Sequence, residues 1–155
     1  MVVGGVLLVV GLFAPWYFFV TEKGEYYSMN AFGGSLVDFW FGPELFNPLT
    51  AYLSLIFAIL TLVVPFIAIN FPEKSRRKFV CVVSCLGAIC ALMSVVYLHL
   101  WLSEFDPVDS FVNLGSGESW GPNIGYFITW VAMGFLFGAT YLSEGLVQKP
   151  SVNAS

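Results

Sequence analysis

The sequence predicts an all-α integral membrane fold: a bundle of four transmembrane helices, with N and C termini cytoplasmic and a small extracellular β-hairpin or sheet from the two outer loops. Three observations predict it. The chain of 155 residues is 58% hydrophobic and only 10% charged, too apolar for an ordinary soluble domain. Four runs, residues 2–20, 49–69, 79–102 and 124–146, are each long enough to cross a hydrocarbon core of about 30 Å, and Glu144 near the end of the last is the one acidic or basic residue in them. Between the second and third runs lies Phe71-Pro72-Glu73-Lys74-Ser75-Arg76-Arg77-Lys78, which holds most of the chain's 6 Lys and Arg. Short loops dense in Lys and Arg stay in the cytoplasm, so Lys74, Arg76, Arg77 and Lys78 are the topology signal. They put the turn 70–78 inside and the loops 21–48 and 103–123 outside, in a single domain of residues 1–155.

The first run carries no charge from Val2 to Val20. A cleaved signal peptide is the competing reading, but the segment has no basic start and no small-residue cleavage site, and Pro15-Trp16-Tyr17 stands where that site would be. Trp16, Tyr17, Phe18 and Phe19 read instead as an interfacial aromatic belt at the outer end of a retained helix. Gly4, Gly5 and Gly11 give that helix small surfaces, which permit close packing.

The first outer loop is acidic, with Glu22, Glu25, Asp38 and Glu44 against Lys23. Gly33-Gly34 lies between two aromatic-rich runs, Glu25 to Phe32 and Ser35 to Phe41, which is a hairpin signal. An irregular aromatic loop along the membrane interface is the alternative. Gly42-Pro43 and Asn47-Pro48 punctuate the return, because a residue before proline is pushed out of the helical region.

In the second run Pro65 predicts a kink or a loosened last turn. The third run holds all 3 cysteines and the single histidine. Cys81 and Cys85 share a helix face, but Cys90 falls about 180° round from Cys81, and His99 lies about 21 Å along the helix from Cys85. That geometry cannot assemble a zinc site, and no other metal or cofactor is indicated. The cysteines read as small buried apolar residues, with Cys81 and Cys85 as the candidates for S-acylation because they lie just beyond Lys78. His99 reads as an interfacial polar residue.

The second outer loop has Glu104, Asp106, Asp109 and Glu118 and no basic residue. Gly115-Ser116-Gly117 predicts a turn, with Glu118-Ser119-Trp120 as a short strand beside the first-loop hairpin. In the fourth run Gly134 and Gly138 form a G-x-x-x-G, and Gly145 continues the same face. We expect that face to pack within the chain. The Asn153-Ala154-Ser155 sequon falls on the cytoplasmic side, where it is not read.

No Asp, Glu, Lys or Arg interrupts the interior of any run, and ionisable residues usually mark proton or ion paths through a bundle. The sequence also lacks G-x-S-x-G and H-E-x-x-H, so a non-enzymatic role is expected. Four spans, a larger first outer loop, a smaller second one, a short basic inner turn and inner termini resemble the claudin-like tetraspan arrangement. In the first loop Phe39-Trp40-Phe41-Gly42 stands where claudins carry tryptophans and two cysteines; with neither cysteine present, no claudin residue is carried over.

Two function classes follow. In the first, the chain is a structural, adhesion or membrane-organising protein of the cell membrane, whose outer aromatics Tyr26, Tyr27, Phe39, Trp40, Phe41 and Trp120 contact partners. In the second, it is an accessory subunit packed by its helices into a larger membrane complex such as an oxidoreductase, transporter or envelope assembly. The partners expected are the lipid bilayer and other membrane proteins or copies of this chain, with no nucleic acid and no small-molecule substrate.

Overall fold

The computed structural model describes residues 1–21, 23–33, 49–105 and 119–145, with 101–105, 119–120 and 143–145 described by backbone only. The described chain is mostly helical: α1 (Val2–Phe13), α2 (Leu49–Ile67), α3 (Glu73–Phe105) and α4 (Ile124–Gly145). A three-stranded antiparallel sheet joins them, formed by β1 (Tyr17–Val20), β2 (Tyr26–Met29) and β3 (Ser119–Pro122) in the order β2-β1-β3. The helices pack side by side, α1 against α2 and α4, and α3 against α2 and α4.

Among the described residues three stretches are long and apolar enough to cross a membrane: Leu49–Asn70, Glu73–Leu100 and Ile124–Leu142. The first run does not form the expected helix. α1 has 12 residues and ends at Phe13, about 18 Å long. Pro15 is the reason: the residue before it is forced towards extended backbone, and Ala14 lies at φ -69, ψ 156. The chain continues as β1, so the expected aromatic belt, Phe18 apart, is part of the core instead. Trp16, Tyr17 and Phe19 are buried, and the Trp16 indole N–H donates to the Gly11 carbonyl at 2.7 Å.

A hairpin forms, but its turn comes earlier than Gly33-Gly34. β1 and β2 pair through Tyr17↔Met29 and Val20↔Tyr26. Thr21 closes the turn: its hydroxyl accepts from the Glu25 N–H at 3.1 Å, and its carbonyl accepts from Gly24 at 2.8 Å. Gly24 takes φ 78, a conformation that costs other residues strain. Gly33 makes a local turn of its own, with its N–H on the Asn30 carbonyl at 3.2 Å. The expected partner run, Ser35 to Phe41, lies outside the described residues. The strand expected near Ser119 is present as β3 and pairs with β1 through Phe19↔Trp120.

At Pro65 α2 continues to Ile67 and then tightens into a 3-10 turn, Ala68–Asn70, a loosened last turn as expected. The basic stretch, expected as a turn, is helical from Glu73. Pro72 accepts the first backbone bond there, from the Arg76 N–H at 3.0 Å, and Lys and Arg are good helix formers. The connection between α2 and α3 is therefore shorter than expected, and the charges stand on the first two turns of α3.

Small residues let α1 pack closely. A Cβ at Gly4 would lie 2.9 Å from Leu136 of α4, one at Gly5 would collide with Thr61 of α2, and one at Gly125 would lie 2.5 Å from the Ala14 carbonyl oxygen. Between α2 and α3 the contact is polar as well as apolar: the buried Ser54 and Ser94 hydroxyls meet at 2.8 Å. Each also lies near a carbonyl one turn earlier in its own helix, Thr50 and Cys90, so both are satisfied without water. Leu8, Leu12, Ala58, Ala91, Leu98 and Leu136 fill the core between the four helices.

Candidate functional site

The sheet offers the best-defined candidate surface, because strand alternation sends its two faces to different environments. Tyr17, Phe19 and Met29 point into the core cluster. On the other face the Phe18 and Tyr26 rings stack, with centroids 6.2 Å apart and planes 10° apart. Tyr26 is 57% exposed. The Asn123 side-chain amide donates to its hydroxyl at 2.9 Å, and the Asn123 Oδ1 accepts from the Ile124 N–H at 2.7 Å, at the start of α4.

Beneath this platform the sheet is anchored by aromatics. Tyr126 meets Trp16 edge-on at 6.1 Å and Tyr17 at 5.9 Å, and the Tyr17 hydroxyl lies 3.5 Å from His99 Nδ1 on α3. Burial, and then the neighbouring Tyr126 phenol, push the Tyr17 phenol far above its ordinary range. It therefore remains a neutral hydroxyl that can hydrogen-bond. A second aromatic group, Phe13, Phe32 and Tyr52, joins the end of α1 to the start of α2, with successive centroids 5.2 Å apart.

The expected contact residues divide. Tyr26 stands on the exposed face. Tyr27 sits on the opposite face, half-buried against the core, with its hydroxyl donating to Glu25 at 3.3 Å. Trp120 enters through its backbone in β3. Phe39, Trp40 and Phe41 lie outside the described residues. Sequence reasoning missed Phe18 and Asn123: the unbroken apolar run Tyr17 to Val20 hid the alternation, whereas Asn before Ile124 was a readable helix-start signal.

The G-x-x-x-G residues do not pack where they were expected to. A Cβ at Gly134 or Gly138 would meet nothing within 4 Å. They line an outward groove of about 400 Å³ with Met1, Val131, Phe135, Ala139 and Leu142. The i, i+4 spacing shows that a face is small, not what it meets. The close helix contact is made by Gly4, Gly5, Gly11 and Gly125 instead. Gly145 closes α4, with only its backbone described.

Cys81, Cys85 and Cys90 are half-buried along α3, and none of them is in a disulfide. Among the described residues no three His, Cys, Asp or Glu side chains gather as a metal site. Arg77 pairs with Glu73 one turn away, leaving Lys74 and Lys78 exposed.

Comparison with known proteins returns no matching family, no similar curated protein and no similar solved structure.

Proposed function

We propose that the chain is a four-span membrane protein of the cell membrane, with its sheet outside, and that it works without catalysis as a structural, adhesion or membrane-organising component. The observation that carries this reading is the tethered Phe18–Tyr26 stack, with Phe18 half-buried and Tyr26 exposed, above a helical layer whose interior has no charged residue. Rigid aromatics at a water-facing surface are the usual anchors of protein contacts. Phe39, Trp40, Phe41 and Trp120 are proposed as further contact residues, and Lys74, Arg76, Arg77 and Lys78 would hold the other end in the cytoplasm.

The short α1 is compatible with a fourth crossing. Residues 14–16 leave the helix, yet their backbone is bonded inside the protein: Trp16 N–H to Met29 at 2.7 Å, Asn123 N–H to the Trp16 carbonyl at 2.6 Å, and Gly125 N–H to Pro15 at 2.7 Å. Non-helical backbone is tolerated at membrane depth when protein satisfies it in this way. Exposed Ile56, Phe66, Val82, Leu100 and Val131 give the helices an apolar outer surface that suits lipid.

A second reading has its own support. The outward groove at Gly134 and Gly138 is suited to helix–helix contact, as an accessory subunit or self-associating chain would need. Gentle detergent extraction and native mass measurement separate the two. Under the first reading, Tyr26→Ala and Phe18→Ala weaken association by about 2 kcal/mol if either is a hot spot, and Gly138→Leu does not. The opposite pattern transfers the interface to α4 and overturns the first reading.

A further inference from the structure

The start of α3 brings together positive charge and an apolar hollow. Phe71, Ser75 and Phe79 line a groove of about 230 Å³, and both phenylalanines are about half exposed. Helical spacing sets Lys74 and Lys78 together along one flank of the Ser75–Phe79 ridge, with Arg76 on the other flank and Arg77 behind it. Glu73 neutralises Arg77 only, and among the described residues no carboxylate is paired with Lys74 or Lys78. A helix start favours acidic side chains, since its free N–H groups already carry partial positive charge. With Arg77 paired to Glu73, the remaining three basic residues there raise an unfavourable field, which an external anion would relieve.

We infer that this junction binds one anionic phospholipid, its phosphate held by Lys74 and Lys78 with the Ser75 hydroxyl beside it, and its acyl chain laid against Phe71 and Phe79. The charge pattern selects an anion, and the phenylalanine-lined groove selects one with a hydrocarbon chain. The inference rests on the reading of α3 as a span whose first turns meet the headgroups. Side-specific labelling tests that reading separately.

The experiment places the full chain in nanodiscs of equal phosphatidylglycerol and phosphatidylcholine and releases it for native mass spectrometry. We expect one phosphatidylglycerol to be retained in preference to phosphatidylcholine, with excess inorganic phosphate failing to displace it. Lys74→Gln and Lys78→Gln should each lower retention about fivefold. Arg77→Gln removes the same charge and should leave retention unchanged, whereas Phe79→Ala should reduce it without any change of charge. Equal losses from Lys78→Gln and Arg77→Gln would mean diffuse attraction and overturn the site. Displacement by phosphate, or retention unaffected by Phe79→Ala, would also overturn it. All four side chains are at the surface, so folding survives each change.

Discussion

The Asn123 side-chain amide donates to the Tyr26 hydroxyl at 2.9 Å, joining the outer strand of the hairpin to the residue that opens the last helix. The same side chain bonds the Ile124 N–H at 2.7 Å. One residue thus tethers the candidate contact surface and supports a helix start. Asn123→Ala should cost about 1 kcal/mol, and Tyr26→Phe, which loses only the tether, should cost less. Thermal unfolding in detergent, followed by circular dichroism, gives the ranking. Equal losses would show that Asn123 contributes nothing at the helix.

The glycines predict opposite outcomes on two helices. Gly11→Leu must displace Thr129 and the Gly125 carbonyl, and overpacking of this kind costs about 1–3 kcal/mol. Gly138→Leu enters open space, so the fold of the single chain should change by about 0.5 kcal/mol or less. Unfolding in graded denaturing detergent compares them. A destabilised Gly138→Leu monomer would place a contact at Gly138 that the structure lacks.

Ser54 and Ser94 should be coupled across α2 and α3. In a double-mutant cycle with alanine, we expect a coupling of about 0.6 kcal/mol, since buried hydroxyl pairs between membrane helices are modest. A cycle that closes to zero would show that each hydroxyl is satisfied by its own helix alone.

Orientation is tested with Cys81, Cys85 and Cys90 replaced and single cysteines placed at Lys23, in the hairpin turn, or Ser75, at the start of α3. An impermeant thiol reagent applied to intact cells should label Lys23→Cys and spare Ser75→Cys until the membrane is opened. Labelling of both from outside would remove the proposed topology.

Much of the helical frame is legible in the sequence because charge-free runs leave little choice: α2, α4 and most of α3 fall where such runs lie. The first run misleads for the same reason. Tyr17 to Val20 is as apolar as the helix before it, so composition cannot mark the change, and Pro15 alone carries the signal. The basic stretch looks like a loop by polarity, yet Pro72-Glu73 is a good helix opening. At the candidate surface, a run of aromatics announces Tyr26 but not its partners. Phe18 and Asn123 reach it through pairing between segments far apart in the chain, which no local pattern records.

The order β2-β1-β3 has a consequence for how the molecule is built. β1 is the central strand and is made early, yet its pairing of Phe18 with Gly121 requires residues synthesised about a hundred positions later. Closing so distant a contact is entropically slow, and it must wait until α2 and α3 have emerged. Until then one edge of β1 offers unpaired N–H and C=O groups, a period in which the growing chain is exposed to wrong strand partners. The sheet that begins near the first helix is finished only as the last one arrives.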